Sequence, residues 1–533
     1  MSLAARLERA ALISVAAGLI ALRALAQPPA SAPDSELQRI QRLIQNGDTA
    51  GAAGAVKRLL ERFPGDPVLY NFRGVIEAQK GEYRRAEASF QKAVELAPAY
   101  RGAYLNLGRL YQEHADLDPE AVRKAVTVYR RVLELDPASP EAHYQLAVLL
   151  QAQGAAREAL EHLDRLPSKA QQRAQVLAVR CAARTRLEDR AAARQCAQRL
   201  AEAADLTEAD VMVVLPAAAE QEDYEVAVVL LEALAARTPP GPSLLRRLGA
   251  AYEKQGRLAE ARSAYERAVA AGREVSFDLL LDLARVAYKQ KDFKGALGYL
   301  AHARDLKPDD PGVHFFFGMV CVELDLAFEA ERSLRKAWKL DPDNPFYNYA
   351  LGAVLAGSRN WDEALPFFQS YCRARPKDPH GKLMLAVAHY HTDQIEAARQ
   401  EFSEVAGNRE TAAGAHYHLG LIAIREERLS EAIAHLQEAI ERNPDYAEAY
   451  TELGYAYMRS KQFDKAGKAL ERAIELDPES RRANLVLLSF YRRTKDPRAA
   501  EQKERFQKLQ KKLAERARMY LRTVVAKPYT EVQ

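Results

Sequence analysis

Residues 449–478 read AYTELGYAYMRSKQFDKAGKALERAIELDP. Tyr450, Leu453, Gly454 and Tyr457 recur at the three-and-four spacing of one helix face, as do Phe463, Ala466, Leu470 and Ala473 after the polar stretch RSKQ. Pro478 closes the segment, because proline has no N–H to continue a helix and disfavours helix in the residue before it. The same punctuation returns along the chain in FPGDP, LAPAY, LDPAS, LKPDD, LDPDN, RPKDP, RNPDY and LDPES, with a period of 34 residues. Self-similarity at that length marks an array of helical repeats. Counted from residue 33, fourteen units reach residue 514, with five extra residues in the third and one before the eighth.

The twentieth place of the unit is Ala in all fourteen, from Ala52 and Ala86 to Ala466 and Ala500. The eighth place is mostly small, as in Gly74, Gly108, Gly249, Gly318, Gly352, Gly420 and Gly454, so the two helices of a unit are expected to approach closely there. Larger residues at the 24th place, among them Phe90, Tyr129, Tyr265, Phe368 and Phe402, are expected to fill the seam between neighbouring units. Each unit therefore reads helix, turn, helix, stop. Units four to six fit less well, with Arg180, Leu215 and Pro216 at awkward places. In the third unit the extra residues fall between the helices, around HADLDPEA, where Asp118 is expected to cap the second helix with Pro119 at its first turn.

Tyr450, Leu453, Gly454, Tyr457, Phe463, Ala466, Ala473 and Pro478 make unit 449–478 resemble the tetratricopeptide repeat family, and the likeness covers about nine tenths of the chain. The resemblance implies an all-α fold, a right-handed superhelical solenoid of about fourteen 34-residue helix-turn-helix repeats. Ala, Leu, Glu, Arg and Gln dominate the composition, and runs of β-branched residues bounded by turns are missing, which agrees with helices throughout. We divide the chain into residues 1–26, divergent repeats 33–241, regular repeats 242–480, a degenerate repeat with a basic capping helix 481–522, and a tail 523–533.

Residues 1–26 carry Arg6 and Arg9, an apolar run from Ala10 to Leu22, and Ala24-Leu25-Ala26 before Gln27. This reads as a secretory signal peptide and implies export to a periplasmic or extracellular space. An uncleaved membrane anchor is the alternative, against which the apolar run is shorter than the about 20 residues that span a bilayer. Cys181, Cys196, Cys321 and Cys372 form no C-x-x-C pair. Cys181 and Cys196, at places 8 and 23 of one unit, can be near each other, and a disulfide between them is left open.

Four of eleven histidines lie in AHYHTD (388–393) and AHYHLG (415–420). The two copies are 27 residues apart, so they are not equivalent by repeat symmetry, and histidines two apart on a helix point to opposite sides. Packing and groove positions are expected for His389, His391, His416 and His418, not a metal centre. No G-x-S-x-G, G-x-x-x-x-G-K-[ST] or H-E-x-x-H occurs, so we expect no enzyme, no metal and no cofactor.

By the resemblance, the first helices line an inner, concave face. Leu281, Tyr288, Phe315, Met319, Tyr349, Tyr390, Tyr417, Leu421 and Tyr455 are the candidate peptide-binding residues, flanked by Val322, Phe346, Leu383, Val387, Ile424 and Met458. An apolar, aromatic face of that extent suits a protein or peptide partner. Residues 481–527 hold fifteen Lys or Arg against four Asp or Glu, a surface that would suit anionic lipid headgroups or an acidic partner. Nucleic acid is disfavoured by the absence of a base-stacking platform. The function expected is a non-catalytic adaptor that binds protein in the groove. The alternative is a structural scaffold of a cell-envelope or polysaccharide-export assembly that uses its outer surface.

Overall fold

A computed structural model describes residues 31–114, 118–237 and 239–526. The signal-peptide reading of residues 1–26, most of the tail, and residues 115–117 of the third unit's insertion lie outside the described residues. Among the described residues there are twenty-nine helices and no strand. Twenty-eight form fourteen A–B pairs, with A helices such as Pro67–Gln79, Pro311–Glu323 and Ala447–Arg459 and B helices such as Tyr83–Leu96, Ala327–Leu340 and Phe463–Leu476. The remaining helix, Ser168–Gln171, follows the fourth pair.

Local chemistry explains the punctuation. Asp66, Ser139, Asp310, Asn344 and Asp378 accept backbone N–H groups at the start of an A helix, each followed by Pro at its first position. A capping oxygen satisfies an orphan donor, and proline there sacrifices no bond. The fourth place ties four of the A helices to the preceding stop: His143, His314, Asn348 and Asn484 bond the carbonyls of Pro137, Pro308, Pro342 and Pro478 at 2.7–3.1 Å. Asp118 accepts the N–H of Glu120 at 2.9 Å, while the B helix it precedes begins at Ala121, so Pro119 sits before the helix and not in its first turn.

Place 15 ends the A helix in thirteen repeats with a left-handed residue. Gly47, Gly81, Gly154 and Gly256 take that conformation freely, whereas Glu188, Asp325, Arg359, Lys461 and others adopt it at a cost of about 1 kcal/mol each.

Place 24 serves its own helix pair as well as the seam between repeats. A Cβ built on Gly74 would lie 2.6 Å from the Phe90 ring, on Gly249 2.6 Å from Tyr265, and on Gly454 2.5 Å from Leu470. The large residue therefore packs over the glycine of its own repeat, inside the A–B pair, and it also meets the next repeat, as Phe402 does where it stacks on His418 with ring centroids 4.9 Å apart. The reason for the close packing is the absence of a Cβ: the opposing helix sinks until its ring rests on the glycine backbone, and Phe90, Tyr129, Tyr265 and Phe368, over Gly74, Gly108, Gly249 and Gly352, are all buried.

Two compact bodies divide at Gln290/Lys291, between the helices of the eighth repeat. The first contains a core running from Phe90 through Tyr129 to Leu163, and a smaller one around Ile40, Val56 and Phe72. The second contains cores around Leu351 and Phe368, around Phe402 and Ile422, and around Leu470 and Leu487. In repeat five, Cys181 and Cys196 are buried free thiols, with sulfurs 3.8 Å from the carbonyls of Ala193 and Leu177 respectively. Arg180, awkward in the repeat pattern, reaches Asp164, and Pro216 lies within the helix Glu208–Glu220.

The last repeat caps the array. Leu488 takes the small place and is buried, while Glu504, at place 24, is exposed and pairs with Lys508 at 2.7 Å. Gln502 takes over the contact, donating to the Asn484 carbonyl at 3.2 Å and to its side-chain oxygen at 3.0 Å.

Candidate functional site

In the second body the A helices of repeats nine and ten, Pro311–Glu323 and Pro345–Gly357, flank an open cavity of about 650 Å³. Three predicted residues, Phe315, Met319 and Tyr349, line it, with their flanking neighbours Val322 and Phe346. These last two are large apolar side chains left 42% and 50% exposed, which is what a site open to a partner requires. Phe315 packs on Tyr347 with ring centroids 5.0 Å apart, and Tyr349 packs on Tyr371 at 4.9 Å. The Arg375 guanidinium lies 4.5 Å from the Phe346 ring, so the rim carries a cation over an aromatic face. Burial raises the Tyr349 hydroxyl above its ordinary pKa, with Asp378 acting in the same direction, so the phenol is neutral at physiological pH.

Sequence reasoning missed what opens the cavity. Ala350, Ala353 and Gly357 occupy places 6, 9 and 13 of repeat ten. The same places hold Phe316, Met319 and Glu323 in repeat nine, Met384, Val387 and His391 in repeat eleven, and His418, Leu421 and Arg425 in repeat twelve. Three truncated side chains on one helix face leave the volume unfilled. The signal was visible as a departure from the repeat's own column, not as a motif.

The other candidates lie elsewhere. Leu281 and Tyr288 are half-buried in the first body. Tyr390, Tyr417, Leu421 and Tyr455 are half-buried in the second, outside this cavity. Tyr417 stacks against Tyr446 at 5.0 Å, and Tyr455 lies beneath the Arg482 guanidinium at 5.1 Å. Val387 and Met458, expected on the open face, are only 9% and 4% exposed and belong to the cores, because the neighbouring repeats close over them.

Tetratricopeptide repeat profiles match residues 116–182 and 423–487, and a second such profile matches 37–101, 216–276, 260–311 and 329–379, together more than half of the chain. The chain belongs to the tetratricopeptide repeat family. A profile for subunit 3 of the anaphase-promoting complex, or cyclosome, also matches residues 357–439. Hsp70-Hsp90 organizing protein 2 of Arabidopsis thaliana is 25% identical over 182 residues, and organizing protein 1 of Glycine max 27% over 184. Each alignment covers 32% of this chain and 30% of the relative, so the chain spans under a third of the length of these relatives. Among solved structures it is similar to the Cut9–Hcn1 hetero-tetramer of the anaphase-promoting complex, with 15% identity, a TM-score of 0.38, and coverage of 83% of this chain and 93% of that one. Yeast Tom70 is 17% identical with a TM-score of 0.31, covering 88% of this chain and 98% of its own.

In this tetratricopeptide repeat chain the clustered histidines serve packing. His389 Nδ1 is 2.8 Å from Glu401 Oε2, and His391 stacks on Trp361 with centroids 4.2 Å apart. His416 and His435 face each other with Nδ1 atoms 3.0 Å apart. His143 and His162, at the same places of repeat four, do so at 2.9 Å. Among the described residues no group of three His, Cys, Asp or Glu is arranged to hold a metal ion.

His418 lies flat against Phe402 and edge-on to Tyr390 and Tyr417, with its Nδ1 2.9 Å from the Gly414 carbonyl. Burial pushes its pKa down to about 4, against the smaller pull of that hydrogen bond. The fold thus favours neutral His418. As the pH falls from 6.5 towards 4, the unfolded chain binds a proton that the folded chain excludes, and stability drops across that window. His391, His416 and His435, also lowered chiefly by burial, act in the same direction. The opening free energy of the helix Ala412–Arg425, read by hydrogen exchange, is expected to fall between pH 7 and pH 5, and His418→Phe to flatten that dependence; an unchanged slope in the variant would remove His418 from the account.

Proposed function

We propose that the chain is a non-catalytic adaptor that holds an apolar segment of a protein partner in the cavity of repeats nine and ten. The observation that carries this reading is the coincidence of three truncated places, Ala350, Ala353 and Gly357, with five large apolar side chains facing the same space. A volume of about 650 Å³ exceeds any one side chain and lies in the range of ligand pockets, so it suits two or three apolar residues on one turn of a partner helix or along an extended peptide. Support also comes from the relatives named as organizers of two chaperones.

A photo-crosslinking side chain at Tyr349, in intact cells, tests the reading, with a second probe at Phe328, the most exposed large apolar residue, on the B helix of repeat nine. One dominant adduct from Tyr349 that is competed away by a peptide of the captured protein is the expected result. Adducts from Phe328 alone would favour the scaffold that uses its outer surface.

A further inference from the structure

The last repeat breaks a charge pattern that the two repeats before it keep. An arginine at place 13 reaches the acidic residue at place 15 of the preceding repeat, as Arg425 does with Asp393 and Arg459 with Glu427. At the next step the same two places hold Arg493 and Lys461, two exposed cations. The surplus continues beyond that rung. Residues 481–513 contain eleven Lys or Arg against three Asp or Glu. Four of those cations are held locally: Arg482 by Glu452, Arg498 by Glu471 and Asp496, Lys508 by Glu504, and Lys512 by Glu479. Arg492, Arg493, Lys495, Lys503, Arg505 and Lys511 are exposed and form no ion pair with a described residue.

The terminal helix explains how this charge is displayed. Ala499–Ala526 has 28 residues, about 42 Å at 1.5 Å per residue, and packs on Arg481–Thr494, which has 14 and is about 21 Å long. Gln502, Phe506 and Leu509 are buried on the packed side. At 3.6 residues per turn, Lys503, Arg505, Lys508, Lys511 and Lys512 spread around the rest of the circumference.

We propose that this end of the chain docks on an anionic phospholipid surface. The cations spread around the exposed circumference of the terminal helix and do not converge on one point, so they match charge that is laterally continuous better than a single bound peptide. Residues 481–527 carry a net charge of +11, while residues 27–480 carry −8, so a negative surface attracts this end and repels the remainder. Each Lys or Arg near such a surface contributes about 5-fold in affinity, a contribution that salt screens.

The test is flotation of the full chain with vesicles of phosphatidylcholine, with and without phosphatidylglycerol, beside a soluble poly-glutamate binding assay. The chain is expected to float only with the anionic vesicles, and less so as salt rises. The quadruple variant Arg492→Glu, Arg493→Glu, Lys503→Glu, Lys511→Glu is expected to bind more than about 100-fold more weakly at unchanged helicity. All four are exposed, so the fold should tolerate them. Equal flotation with neutral vesicles, or a variant that floats like the parent, overturns the proposal. Binding to poly-glutamate without flotation also overturns it and assigns the face to an acidic protein segment.

Discussion

Gly74→Val is expected to destabilise the second repeat by about 1–3 kcal/mol, Phe90→Ala by about 3–5 kcal/mol, and the two together by clearly less than their sum. The first substitution forces a side chain to where a Cβ alone would lie 2.6 Å from the Phe90 ring, and neither helix can back away without opening its contacts with the next repeat. The second empties a site where the ring is 2% exposed, leaving a void that two rigid helices close only in part. In the double variant the valine enters the space the ring has left, which is the source of the coupling. Because repeat arrays unfold in segments, the appropriate readout is hydrogen exchange in the helices Pro67–Gln79 and Tyr83–Leu96, not a single global midpoint. Additive losses would mean that Gly74 and Phe90 do not press on one another, and that Phe90 acts through the seam between repeats alone.

That example shows where sequence reasoning reached and where it stopped. The 34-residue period, the fourteen units and the proline stops were legible because proline and the repeated alanine act locally, through a missing N–H and a missing side chain. The second partner of place 24, the small residue of its own repeat, was not, because period alone does not say that a ring facing the next repeat also rests on its own helix pair. The left-handed place 15 escaped for a different reason: only four of its thirteen occupants are glycine, so composition hid a conformation that geometry repeats. The site was half legible. Phe315, Met319 and Tyr349 followed from their places, yet Tyr390, Tyr417 and Tyr455 at analogous places sit among histidine and arginine side chains outside the cavity. What separates the two groups is the absence of side chains at Ala350, Ala353 and Gly357, and a search for chemically rich residues passes over alanine and glycine.

Those small residues make the strongest functional prediction. Ala353→Leu is expected to abolish capture of an apolar peptide, weakening it by more than about 30-fold, while changing stability by less than about 1 kcal/mol. The fold should accept it because the same place holds Leu421 in repeat twelve and Met319 in repeat nine, so a long side chain is compatible with this backbone position. Binding should not survive, since the leucine adds apolar surface but takes the volume the partner would occupy. That distinction separates a shaped pocket from a merely sticky face. Selection from a random peptide library on the parent protein should enrich large apolar residues three or four apart, and Ala353→Leu should lose that enrichment. Phe315→Asp should lose it as well, through desolvation of a carboxylate against the incoming side chain. If Ala353→Leu binds the selected peptides as well as the parent, hydrophobicity without shape is sufficient, and the cavity of repeats nine and ten is not the binding site.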